Sequence, residues 1–167
     1  LNGKPLAEEN IRRRAQHIGY VMQNPNQMIS KTMIYEEVAL GLQRSGLTEE
    51  QIREKVEATL RVCGLYPFRN WPISALSFGQ KKRVTIASVL VLDPELILLD
   101  EPTSMLDSIS QAQILQILKT YQKQHRTAYL LITHDLQVMR HMCDRCYFLE
   151  NGCIQGEEEY AHVEKEP

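Results

Sequence analysis

The chain has 167 residues, of which 43% are hydrophobic and 24% charged, and its formal net charge is −2. This is the profile of a soluble globular domain with a real core. It excludes the broad basic footprint of a nucleic-acid binder. No apolar run reaches membrane-spanning length, because Asp93-Pro94-Glu95 divides the longest candidate, and no signal peptide is visible. The first residue is Leu rather than Met, so the chain is expected to be a piece of a longer protein.

The chain opens LNGKPL. Gly3-Lys4 resembles the end of a phosphate-binding loop, but that loop needs an earlier glycine four residues before the second and a Ser or Thr after the lysine. Only Leu1 and Asn2 precede Gly3, and Pro5 stands where the hydroxyl belongs. Proline also removes a backbone donor. Asn2-Gly3 reads instead as a tight turn between two strands.

HIGYVMQ (17–23) alternates as a strand, and NPNQ breaks it. A helical pattern runs from Thr32 to about Ser45, where Gly46 stops it. Thr48 can cap a second helix through residue 64, with Ile52, Val56, Leu60 and Cys63 along one face. Residues 65–75 hold two prolines and an Asn and read as loop. A third helix starts at Ser77 and runs to about Leu92, with Val84, Ala87, Ser88 and Val91 at helical spacing, until Asp93-Pro94 ends it.

LILLD (96–100) is an uninterrupted apolar run, the mark of a buried parallel strand. Ser108 to about Lys123 is a helix with Ile114, Ile117, Leu118 and Tyr121 on one face. TAYLLIT (127–133) is another buried strand, 135–142 a short helix, and RCYFLENGCIQGE a hairpin around Asn151-Gly152. The acidic end reads as frayed. Strands and helices alternate as in a doubly wound α/β layer. The α/β core is expected in 1–23 and 94–157, a helical subdomain in 24–93 and a tail in 158–167. Cys63, Cys143, Cys146 and Cys153 lack the paired spacing of a structural zinc site and read as buried, reduced thiols.

Three stretches carry chemistry. Ser77-Phe78-Gly79-Gln80 contains a capping box, Ser77 with Gln80. By itself it says only that a helix begins, but a capped helix N-terminus is also an anion site. Gly79 is a poor first-turn residue unless a ligand approaches the backbone, and Lys81, Lys82 and Arg83 add positive charge behind it. The 96–100 strand delivers Asp100 and Glu101 at its carboxyl end, where open α/β sheets bind ligands. One acid can hold magnesium while the other orients or deprotonates water. LLITHD ends a second strand in Thr133, His134 and Asp135. Alone, His134 would read as a loop histidine, and Gln23 after its strand says nothing.

The order of these pieces resembles the ATPase domain of ABC proteins over nearly the whole chain. The family's Q-loop matches Gln23, its signature Ser77 to Gln80, its Walker B strand Leu96 to Asp100 followed by Glu101, its D-loop Ser104 to Asp107 and its switch histidine His134. Phe78 stands where the family usually has glycine. The resemblance implies a P-loop NTPase (RecA-like) parallel-sheet core, incomplete here, with an inserted helical subdomain carrying the signature. The Walker A loop belongs upstream, and NGKP matches a hairpin beyond it, so this piece alone is expected to be inactive.

The resemblance also implies ATP and Mg²⁺ as ligands, and two ATPase domains paired head to tail. Ser77, Phe78, Gly79 and Gln80, with the helix start, would face the γ-phosphate held by the second domain. Asp100 would support magnesium through water, Glu101 would act as base, His134 would stabilise the transition state and Gln23 would sense magnesium and water. Asp107 would link the two sites. The membrane partner would be a transmembrane coupling protein docked on the Q-loop and the 24–93 helices, placing the subunit peripherally at the cytoplasmic face, with no nucleic acid. VMQNPNQM and LSFGQKKRVTIASVLVLDPE look like ATPases of energy-coupling-factor importers, of the hydroxymethylpyrimidine/thiamine or cobalt type. A non-transport ABC ATPase of DNA repair or translation, or a non-catalytic half of an ATP site, are the alternatives.

Overall fold

The computed structural model describes residues 9–159, so the turn expected at Asn2-Gly3 and the tail beyond Glu159 lie outside the described residues. The chain divides into two compact units, one ending at Ile132 and the other starting at Thr133. In the first, α1 (Ile11–His17) runs into β1 (Ile18–Val21). Then come α2 (Ile34–Ala39), α3 (Glu49–Val62), α4 (Phe78–Leu90), β2 (Leu96–Asp100), α5 (Ser108–His125) and β3 (Ala128–Ile132). The second unit holds α6 (Leu136–Met142) and the strands β4 (Arg145–Glu150) and β5 (Cys153–Glu159).

The three strands of the first unit form a parallel sheet in the order β1-β2-β3. Ile18 lies opposite Leu96 and Val21 opposite Leu99, while Asp100 lies opposite Ile132. Parallel pairing sends all three carboxyl ends the same way. On one face of the sheet Val21, Ile97 and Leu99 are buried, and Tyr129 and Leu131 of β3 are half-buried. Helices α4 and α5 lie on that face: Gly19 approaches Val89 of α4, and the Tyr129 hydroxyl donates to the Leu118 carbonyl of α5 at 2.7 Å. The other face is less covered, with Leu130 56% and Ile132 51% exposed. The apolar run 127–133 therefore buries one face only, contrary to the sequence expectation.

Helix α4 is buried on most sides, with Lys82, Val84, Thr85, Ile86, Ala87, Val89 and Leu90 all inside. A helix surrounded by protein shows little amphipathic stripe. At its end Tyr121 of α5 donates to the Leu90 carbonyl at 3.0 Å and to Asp93 at 3.1 Å, and Lys55 of α3 reaches the same Asp93 at 2.5 Å. One carboxylate thus gathers three helices where α4 stops. The expected α5 face of Ile114, Ile117, Leu118 and Tyr121 is buried throughout.

Several elements differ from their sequence reading. The strand expected at 17–23 is shorter because His17 closes α1, a helix capped by the Asn10 side chain on the Arg13 amide at 2.9 Å. The helix expected from Thr32 to Ser45 is α2 followed by a 3₁₀ turn, Leu40–Leu42. Buried Glu37 explains its late start: its carboxylate accepts the Ser30 and Lys31 amides at 2.8 and 2.7 Å, holding that segment as incoming loop. Residues 65–75 contain two short 3₁₀ turns. Strand β5 continues to Glu159, into the expected tail. In the hairpin, Asn151 (φ 50°) and Gly152 (φ 77°) are both left-handed, as a type I′ turn requires. No disulfide joins the four cysteines, but Cys153 is exposed and Cys143 only half-buried. Cys63 fits the buried reading, and burial pushes its thiol up to about 12.

A Cβ on Gly19 would lie 2.3 Å from Val89 Cγ1 and 3.3 Å from Pro94 Cγ. Gly19→Ala is expected to destabilise the protein by about 1–3 kcal/mol through overpacking between β1 and α4, read as a lowered midpoint in urea with an unchanged slope.

Candidate functional site

The acid pair sits at the carboxyl end of β2, the central strand. The Tyr20 hydroxyl on neighbouring β1 donates to Asp100 Oδ2 at 3.1 Å, and that carboxylate holds the phenol above its usual range. Glu101 has φ 46°, a left-handed conformation costing a non-glycine residue about 1–2 kcal/mol. The surroundings impose it. Its amide donates to the Ile132 carbonyl at 3.0 Å, and its own carbonyl accepts the Ser104 amide and hydroxyl at 3.2 and 3.0 Å. Pro102 and Thr103 are buried beneath this turn. Strain held in place by several bonds is typical of functional positions. Both acids are half-buried, so water reaches them.

Gln23 stands two residues past β1, exposed, with its backbone tied to α4. The tie is Lys82, which is fully buried. Its ammonium donates to the carbonyls of Met22 and Gln23, each at 2.7 Å. Burial lowers its pKa to about 8, while Asp100 and Glu101 pull the other way. Sequence reasoning grouped Lys82 with Lys81 and Arg83 as positive charge behind the helix start and missed this role. A signal was present: residues 82, 86 and 89 share one helical face, and the latter two are Ile and Val.

At the start of α4 both halves of the capping box form. Ser77 Oγ accepts the Gln80 amide at 3.3 Å, and Gln80 Oε1 accepts the Ser77 amide at 2.9 Å. Phe78 and Gly79 are half-buried, while Ser77 is exposed. The structure gives Gly79 a packing reason in addition to any ligand. A Cβ there would meet Ser110 Oγ at 2.9 Å and Ser110 Cβ at 3.2 Å. That hydroxyl donates to Asp107 at 2.7 Å, and Asp107 also caps α5 by accepting the Ser110 amide at 2.9 Å. These bonds hold the Asp107 carboxyl below the usual range. The first turn of α4 and the Asp107 turn are thus in contact.

So α4 joins two groups within the first unit. Ser77, Gly79 and Asp107 cluster at its start, and Lys82 one turn later binds the Gln23 backbone beside the Asp100–Glu101 end of β2. His134 belongs to the second unit. It is exposed, in a turn where Thr133 Oγ1 accepts the Asp135 amide at 3.1 Å and Asp135 caps α6 on the Gln137 and Val138 amides.

No cluster of three or more His, Cys, Asp or Glu able to hold a metal occurs among the described residues. Hard carboxylate oxygens at a strand end suit Mg²⁺, which keeps several waters and takes one or two carboxylates plus substrate phosphates. The half-buried Asp100 carboxylate, open to water, fits that ion, with Glu101 beside it left to act on water.

Comparison with known proteins gives concordant results. The sequence profile described as ABC transporter matches residues 1–104. A Clostridium perfringens protein named as an ABC transporter ATP-binding protein is 53% identical over 91% of the chain, and one from Streptococcus agalactiae is 49% identical over 97%. The chain spans 27% and 29% of the length of these two relatives. Among solved structures, CbiO1 of Clostridium perfringens, described as part of the ABC transporter complex CbiONQ, superposes with a TM-score of 0.88 at 32% identity, covering 95% of this chain and 64% of that one. The ATP-binding cassette MJ0796, described as a dimer in a post-hydrolysis state with ADP and phosphate, superposes with a TM-score of 0.81 at 30% identity over 96% of this chain and 72% of that one.

The Gly79–Ser110 contact is testable by a double-mutant cycle. Gly79→Ala is expected to destabilise the native protein but to be neutral or stabilising when Ser110→Gly has removed the obstructing atoms, a coupling of about 1 kcal/mol measured by urea unfolding. Additive effects would rule the contact out.

Proposed function

Because the chain belongs to the ABC transporter ATP-binding family, we propose that it is part of an ATP-hydrolysing subunit that powers import across a membrane. The observation that carries this reading is the placement of Glu101. A buried strand delivers it beside Asp100, and three backbone and hydroxyl bonds fix its left-handed turn.

In this reading the α4 N-terminus, with Ser77, Phe78, Gly79 and Gln80, faces the γ-phosphate of ATP held by a second ATPase domain. First-turn amides and the positive end of the helix dipole suit an anion. Asp100 would hold Mg²⁺ through water, and the ion would supply charge neutralisation at the phosphates. Glu101 accepts the proton of the attacking water, with Gln23 positioning that water from the end of β1. His134 stabilises charge in the transition state, and Asp107 links the two sites of the pair. Catalysis of this kind is positioning and electrostatics more than covalent chemistry.

The dimeric state described for MJ0796 supports pairing with a second ATPase domain. In this reading the second partner is a transmembrane coupling protein, in keeping with CbiO1 being described as part of an ABC transporter complex. A cavity of about 270 Å³ lined by Asn26, Ile29, Lys31, Pro72 and Lys81, between the Gln23 loop and the helical segment, is the docking place we favour. The subunit would then sit peripherally at the cytoplasmic face. Similarity to CbiO1, described as part of CbiONQ, favours the energy-coupling-factor type of importer, with a vitamin precursor or metal ion as cargo.

Glu101→Gln in the full-length protein with its partner domain is expected to leave ATP binding within error while lowering turnover by about 100-fold or more, read by nucleotide titration and phosphate release. Undiminished turnover would remove Glu101 as the base.

A further inference from the structure

Among the described residues Lys82 is the one buried cation. Burying an ammonium is costly unless it is fully hydrogen-bonded, and a Met or Leu would fill the same volume without that cost. The acceptors explain its presence. Met22 and Gln23 follow directly after Val21, where the β1–β2 ladder ends opposite Leu99. Their carbonyls lie past the ladder and take the Lys82 ammonium, each at 2.7 Å and from 60 and 59 residues away. The loop carrying Gln23 is therefore shaped from α4, the helix whose first turn bears Ser77 and Gly79.

We infer that Lys82 is a positioning residue for ATP hydrolysis: it fixes the Met22–Gln23 backbone to the signature helix, so that the Gln23 side chain is presented to the attacking water. This rests on the role proposed above for Gln23. Lys82 acts through Gln23 and does not touch ATP. A lysine that merely filled the core would matter for stability alone. A positioning lysine couples energetically to Gln23 and affects turnover more than substrate binding.

The test uses the full-length protein with its partner domain and the variants Lys82→Met, Lys82→Gln, Gln23→Ala and the two double variants with Gln23→Ala. Lys82→Met removes the donors, and Lys82→Gln keeps shorter ones. We expect Lys82→Met to lower kcat by at least roughly tenfold with KM for ATP changed far less, and Lys82→Gln to recover part of the loss. In the double variants the Lys82 change is expected to add little to Gln23→Ala, because both disable the same group. Hydrogen exchange should rise at the amides of residues 22–24 and 26–28 in folded Lys82→Met.

An unchanged kcat, losses that multiply with Gln23→Ala, or unchanged exchange at those amides would each overturn the proposal. Should Lys82→Met fail to fold, Lys82→Gln and its double variant decide by the same criteria. If the wild-type assembly hydrolyses no ATP, the ATPase reading fails. The exchange arm then reports separately whether Lys82 holds the loop.

Discussion

The close approach of α4 to β1 is the constraint on which the rest of the arrangement depends. It exists because residue 19 has no side chain, leaving room for Val89 and Pro94 against the strand. With α4 seated there, its second turn lies over the end of β1, and Lys82 reaches the carbonyls of Met22 and Gln23. The same seating brings the first turn of α4 against the start of α5, where Gly79 again has no side chain to obstruct Ser110. Two glycines thus set where a helix start, a glutamine loop and a pair of acids stand relative to one another.

The electrostatics follow from that geometry. An ammonium withdrawn from water loses most of its hydration, and two carbonyls replace only part of it. The nearby charges of Asp100 and Glu101 offset more of the loss, which is why burial and the acids act in opposite directions on Lys82. The acids in turn interact with the Lys82 ammonium, and Asp100 also accepts the Tyr20 hydroxyl. Such groups are preorganised before any substrate arrives, the condition under which charge stabilisation is effective.

Much of this could be read from the sequence where the determinants are local. LILLD gives β2 with its bounds, Ser77 and Gln80 give the reciprocal cap of α4, and Asn151-Gly152 gives the hairpin turn. Each depends on residues a few positions apart. What escaped the sequence depends on distant partners or on a weak pattern. The Tyr20–Asp100 bond spans 80 residues and the Lys82–Met22 bond 60. Helix α1 is IRRRAQH, which has no apolar stripe and is marked mainly by its Asn10 cap. Helix α2 starts late because Glu37 binds amides upstream of it, a tertiary contact that overrides helical pattern. The α/β fold itself, shared with ABC ATPase domains, was legible from the order of motifs.

Helix α4 is fastened to α5 at both extremities. Gly79 rests on Ser110 at one end, and Tyr121 holds the Leu90 carbonyl and Asp93 at the other. These two anchorages, eleven residues apart along each helix (Gly79 to Leu90, Ser110 to Tyr121), oppose sliding of one helix along the other. Deformation of the first unit is then taken up more readily outside this pair, in the segment before Ser77 and in the stretch from Asn24 to Thr32.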